Sequence, residues 1–376
     1  MKVLDKYFMS EILRSVLFVL VAFLAIFAFF DLISELQEVG RGGYKLQHAF
    51  LFVLLGLPGY VYELMPIAVL IGTIYTLAQL AARSEFTIMR VSSMSTGMVA
   101  TILFKIGILF VLFTVIFGEL ISPAVSSFAE RTKLKEQGLP VAQEFRSGMW
   151  TKDVIREHGL SGAVIGSRFI NVQQAGDAGN LTGVKIYELN QQFHLDRIIT
   201  AARAEYQGNN LWSLQDAVET SFNNSGPHQE VTAVTSVHHA EQQLVSDVTP
   251  AILSVLLADP DRMSAYDLAT YSRHLAENNQ RTERYEIAFW KKIVYPFTVF
   301  VMMALALPFA YLHFRAGGVS LKIFTGIMIG VSFQLINSLF SHLGLLNTWP
   351  PLATAMLPAL LFLSIAMFGL WWVERH

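Results

Sequence analysis

Residues able to do chemistry are thinly spread along this chain, and their spacing excludes several reactions. His238 and His239 are adjacent on a predicted strand, so their side chains point to opposite faces and are poorly placed to share one metal ion. No H-E-x-x-H pattern occurs, and His313 and His342 fall towards opposite ends of apolar runs, so no metal site is expected. The absence of cysteine excludes disulfides, thiol catalysis and thiolate metal ligation. No G-x-x-x-x-G-K-[ST] loop is present, so any energy from ATP must come through another protein. The sharpest local pattern is Ala81-Ala82-Arg83-Ser84-Glu85-Phe86-Thr87-Ile88-Met89-Arg90, which mixes charges with apolar side chains. As a short helix it would present Phe86 and Met89 beside Glu85, either for docking into a groove on a soluble partner or as an ordinary amphipathic connector.

Six apolar runs must position these residues. Each is long enough to cross a bilayer, since roughly 20 residues at about 1.5 Å each cover the roughly 30 Å hydrocarbon core. They lie near residues 14–34, 57–82, 99–122, 293–313, 319–340 and 351–373. The first runs on into Glu35 and Glu38 without a small-residue cleavage site, so it reads as an uncleaved helix rather than a signal peptide. Within the runs, Glu63 and Glu119 sit near outer ends, and Gln334 and Asn337 share one turn; interfacial placement and helix-to-helix hydrogen bonding account for such groups.

Loop charge orients the bundle. With the N-terminus inside, the inner segments hold Lys2, Lys6, Arg14, Arg83, Arg90, Lys105, Arg315, Lys322 and Arg375, against Arg41 and Lys45 outside. Both termini are then cytoplasmic, and the large insert faces outward. A net charge of -2 gives no reason to expect nucleic acid.

Between the third and fourth runs lies a mostly polar insert, residues 124–290. Pro123 is expected to close the third span, with 126–137 as a helical extension. Residues 144–248 read as short strands: 162–172, 183–189, 195–206, 210–218 and 229–237. In 195–206 the alternation puts Ile198, Ala202, Ala204 and Tyr206 on one face, with Arg197, Arg203 and Glu205 on the other. So many strands suggest an antiparallel sandwich or jelly roll. From 264 to 290 the period is helical, with Ser264 and Asp267 as a capping pair and one helix leading into span four. The expected fold is an α-helical membrane protein of six transmembrane helices, three plus three, with an inserted all-β, jelly-roll-like domain. Its segments are 1–123, 124–290 and 291–376.

Arg83-Ser84-Glu85 followed by apolar residues resembles the coupling helix, near 82–92, of the LptF/LptG family of lipopolysaccharide-export permeases. Gly118-Glu119-Leu120-Ile121-Ser122-Pro123, Ser147-Gly148-Met149-Trp150-Thr151-Lys152-Asp153 and Trp290-Lys291-Lys292 with Pro296 resemble it in the same order. The opening at 1–7 and the stretch at 39–44 after the first run look more like the LptG branch than the LptF branch.

The resemblance implies a permease subunit of an ATP-driven exporter in the bacterial inner membrane. It would pair with an LptF-like permease, an LptB-like ATPase dimer that uses ATP and Mg, and an LptC-like periplasmic bridge protein, binding no cofactor itself. Lipopolysaccharide would be the substrate, and the β-domain would be periplasmic. Arg83, Ser84, Glu85, Phe86 and Met89 would couple to the ATPase, with Glu85 on a basic residue and Phe86 and Met89 filling a groove. The first and fifth helices would line the lipid cavity. On the first, Phe23, Phe27 and Phe30 recur at helical spacing, next to Asp31 and Ser34; the stripe meets acyl chains, or is lipid-facing or packing. On the fifth, Phe324, Ile327, Val331 and Gln334 share a face. Some family members carry lysines at the outer end of the first helix where this chain has Asp31, Glu35 and Glu38, acids expected to repel phosphate. A secondary transporter would need internal repeats and midplane ionisable groups. A membrane-anchored periplasmic binding or scaffold protein is the other alternative.

Overall fold

The computed structural model describes residues 2–40, 43–91, 94–137, 148–175, 179–223, 233–255, 259–311, 319–347 and 349–375. Arg41, Ser147, His313 and Arg315 lie outside them. Six helical spans are long and apolar enough to cross a membrane: Leu4–Leu36, Leu46–Ala82, Thr96–Ala129, Glu283–Tyr311, Val319–Asn347 and Pro351–Val373. They match the six apolar runs, extended mainly at their ends.

The first span is α1 (Lys2–Leu36), and the second is α2 (Leu46–Ala82). A short α3 (Glu85–Val91) leads to the third span, α4 (Thr96–Val115). Pro123 does not end that span. A π-helical stretch, Ile116–Ile121, lengthens the bonding step so that the Ser122 N–H reaches the Phe117 carbonyl. Pro123 then falls just past the π-helical stretch, in the first turn of α5 (Ser122–Gln137), and the rod continues outward.

Helix α2 is the centre of the bundle: 83% of its most apolar stretch is buried, against 11% in the first span and 17% in the fifth. The fifth span is α11 (Val319–Asn347) and the sixth α12 (Pro351–Arg375). Glycines allow the closest approaches. A Cβ on Gly72 of α2 would sit 2.7 Å from the Val16 Cα of α1, and one on Gly330 of α11 would sit 2.9 Å from Ile67 Cγ2 of α2. Small residues at such crossings supply the van der Waals contact that holds helices together in lipid.

The insert is one six-stranded antiparallel sheet in strict sequence order: β1 (Met149–His158), β2 (Ser161–Ala175), β3 (Asn180–Asn190), β4 (Leu195–Gly208), β5 (Leu211–Asn223) and β6 (Ala233–Val245). A jelly roll is wound from Greek keys; the described strands form a meander instead. The sheet curls until Ser246, just past β6, donates to Asp153 of β1 at 2.6 Å and Arg168 of β2 donates to the Val245 carbonyl at 2.9 Å.

A crease crosses the sheet. Inward residues step from Leu181 to Val184 on β3, from Ala201 to Ala204 on β4 and from Leu214 to Ala217 on β5, three positions instead of two. Because these strands carry the extra residue in one row, the pairing register is the same on either side. Gly183 and Asp216, flanking Ala202 in that row, have φ of 65° and 54°. This corrects the face assigned to β4: Ile199, Ala201 and Ala204 point inward, and Ala202 is exposed. Arg197 joins the inner face too, paired with Glu188 at 2.6 Å and Glu219 at 3.2 Å.

The inner face is filled by the chain itself. Val248 and residues of α6 (Pro250–Val255), α7 (Ala265–Glu277) and α8 (Glu283–Val294) share a buried cluster with Ile186, Trp212 and Leu214. Ser264 caps α7, its hydroxyl accepting from the Asp267 N–H, as the spacing predicts. One helix from 264 to 290 was expected; α7 and α8 are instead separate, parted at Asn279, whose φ is 51°. α8 runs into the fourth span through Tyr295–Phe297, with α9 (Thr298–Ala306) and α10 (Pro308–Tyr311) completing it.

Candidate functional site

Two regions hold the candidate residues: the turn after α2, at the end of the bundle that carries the termini, and the outer halves of α1 and α11.

At the first, Arg83 ends α2 and Ser84 adopts the left-handed conformation, φ 62°, which turns the chain sharply into α3. Arg83 and Ser84 are exposed. Glu85 opens α3, a favourable place for a carboxylate at a helix N-terminus, and accepts a hydrogen bond from the Tyr7 hydroxyl at 2.8 Å. Phe86 corrects its expected role. It is 2% exposed, packed edge-on against Tyr311 with ring centroids 5.2 Å apart, so it anchors α3 and is not presented to a partner. Met89 is half-buried against the same core. The apolar side chains α3 leaves in the open are Ile88 and Val91, 64% and 83% exposed. The sequence held the signal: a seven-residue helix that buries Phe86 and Met89, three apart, must turn Ile88 and Val91 away.

The outer half of α1 does not present one aromatic stripe. Phe23 packs partly into the bundle core, and Phe27 lies 5.1 Å from the Tyr60 ring, while Phe30 is 62% exposed. Ser34 bonds back to the Phe30 carbonyl. Asp31 accepts from the Tyr60 hydroxyl at 3.0 Å. Glu35 is buried, and Lys133 of α5 reaches it at 2.6 Å while the Tyr44 hydroxyl donates at 2.8 Å. Burial and the bond to Glu35 push the Tyr44 hydroxyl pKa up, which keeps it a donor. Glu35, one of the acids expected to repel phosphate, is neutralised by Lys133, nearly 100 positions away.

On α11, Phe324 and Val331 are exposed, and Ile327 is half-buried. Gln334 was expected to bond to a neighbouring helix; its Oε1 is buried with no hydrogen-bond partner among the described residues. Glu119 is more than interfacial, since its carboxylate accepts from the Ala265 N–H at the start of α7 at 2.9 Å. Lys292 lies 4.7 Å above the Tyr62 ring, and Tyr295 donates to the Glu63 carbonyl, so the base of the insert is tied to spans two and three. His238 bonds to Asp216 at 2.6 Å on the exposed side of β6.

The sequence can be set beside known proteins on this geometry. It is 27% identical over 371 residues to the lipopolysaccharide export system permease protein LptG of Haemophilus influenzae, covering 98% of this chain and 97% of that one. It is 28% identical over 367 residues to the protein of the same name from Escherichia coli K12, covering 97% of each. Residues 6–372 match the family described as lipopolysaccharide export system permease LptF/LptG. Six apolar helices split three and three by a β-sheet insert, with that match across nearly the whole length, make this chain a member of the LptF/LptG family of lipopolysaccharide export permeases.

Proposed function

We propose that this chain is a membrane subunit of an ATP-driven exporter, taking lipopolysaccharide from the outer leaflet of the bacterial inner membrane and passing it to a periplasmic bridge. On this reading an LptF-like permease covers part of the open faces of α1 and α11, and an LptB-like ATPase dimer docks at α3. An LptC-like protein meets the β-domain, and the termini are cytoplasmic. ATP and Mg act in the ATPase. The observation that carries the reading is α3 itself. It is a short helix clamped from beneath by Phe86, with Ile88 and Val91 left open beside Arg83, the form suited to a groove on a soluble partner. The low burial of the first and fifth spans supports a shared cavity, since such faces await another subunit or lipid.

Purification in mild detergent should co-isolate a nucleotide-binding subunit. The paired substitution Ile88→Asp and Val91→Asp should weaken that association at least tenfold while leaving membrane insertion intact, because both side chains are exposed and neither supports the fold. Recovery of the chain in functional form without an ATPase, or unchanged association of the variant, refutes the docking assignment.

A further inference from the structure

Helix α1 is held unevenly. Over its first half, Phe8, Ile12, Val16 and Leu20, one residue in every four, are all at most 4% exposed. From residue 21 to residue 34 no side chain of α1 is buried. The tight half ends near the close approach of Gly72 to Val16, where a Cβ on the glycine would sit 2.7 Å from the Val16 Cα. At its start α1 carries two polar links: Asp5 to Lys105 of α4 at 2.9 Å, and Tyr7 to Glu85, the first residue of α3, at 2.8 Å. The second of these crosses 78 positions of sequence and ties a helix with an open outer half directly to the short helix assigned above to docking.

We propose that Tyr7 is a positioning residue that passes movement of α3 to α1, which rocks about the Val16–Gly72 contact and swings its outer half. The proposal rests on the docking assignment of α3. At about 1.5 Å per residue, Tyr7 stands about 13 Å from Val16, and Phe30 about 21 Å beyond it on the other side. A displacement at Tyr7 is thus reversed and enlarged about 1.6-fold at Phe30. Packed helices commonly shift by about 1–2 Å in switching transitions, which here becomes about 1.5–3 Å at the outer arm. Tyr7 suits the task because its ring also packs against the bundle core, so the hydroxyl is held in place. The outer arm is restrained by Asp31–Tyr60 and Glu35–Lys133, polar contacts at the membrane edge that can exchange partners more readily than the interdigitated inner half can slide.

The chain has no cysteine, so, labelled before assembly with its partners, it takes spin labels only at introduced positions. Labels at Phe30→Cys and Leu54→Cys, both exposed, would be read in the complete complex with its ATPase, with and without ATP, Mg and vanadate. The expected result is a nucleotide-dependent distance change that Tyr7→Phe reduces by at least half. The same variant should keep ATPase association and turnover within about twofold, yet lower lipopolysaccharide release from proteoliposomes at least fivefold. A parallel loss of turnover and release would indicate a merely structural role and overturn the proposal. A Tyr7→Phe complex that retains the full distance change and release overturns the lever while leaving docking standing. A native-sequence chain that binds no ATPase overturns both.

Discussion

Replacing Arg168 with Met tests the row of charges that crosses the inner face of the sheet. Arg168 is buried between Asp153 and Glu188, its Nε 3.6 Å and 3.8 Å from their carboxylates. The two acids are not equally dependent on it. Glu188 keeps Arg197 at 2.6 Å, whereas Asp153, with a side chain 1% exposed, keeps among the described residues only the Ser246 hydroxyl on Oδ2 and nothing on Oδ1. Breaking a buried ion pair costs about 3–5 kcal/mol, and the remaining Ser246 bond argues for about 3. Loss of the donor to the Val245 carbonyl adds about 1 kcal/mol. A total of about 4 kcal/mol lowers the melting temperature of the insert, 124–290, by about 10 °C. The assay is thermal unfolding of the full chain in detergent, followed by tryptophan fluorescence, with Trp212 buried in the same sheet. Adding Asp153→Asn removes the stranded charge and should recover more than half of the loss. A shift of under about 2 °C in Arg168→Met, or no recovery in the double variant, refutes the account.

Two further outcomes follow from other parts of the molecule. Gly330→Leu places side-chain atoms where Ile67 already lies, so α11 must lift from α2 at a cost of about 1–3 kcal/mol, visible as a lower midpoint of heat inactivation in detergent. Burial, against the nearby charges of Asp153, Asp247 and Glu277, lowers the His274 pKa below its usual 6.5. From about pH 6.5 downward the unfolded chain therefore takes up a proton that the folded chain refuses. Stability falls through that window, and the slope of melting temperature against pH should flatten in His274→Gln.

Much of this architecture is written locally. The spans follow from apolar length, and the Ser264 cap from a three-residue spacing. The strand faces are legible only up to the crease. Period-two alternation carries Ile198 and Ala202 to the same side, and a three-residue step in one strand is recognisable as a crease only when its neighbours, paired in register, take it too. The helical period likewise runs across Asn279, because left-handed backbone at one asparagine changes direction without changing hydrophobicity. At the site, Glu85 and Phe86 could be found from the mixed loop after α2, but their partners could not. Tyr7 and Tyr311 are brought to them, as Lys133 is to Glu35, by tertiary packing over long separations that no short pattern encodes.

The unbroken helix through the π-helical stretch has a consequence for how the outer parts can be displaced. Glu119, which receives the start of α7, and Lys133, which holds Glu35 of α1, stand on the same rod fourteen positions apart. They are separated by about 20 Å along it. One stiff axle therefore carries both the foot of the sheet and the outer end of the first helix. While the Glu35–Lys133 contact holds, tilting this rod displaces the foot of the sheet and the outer end of the first helix together.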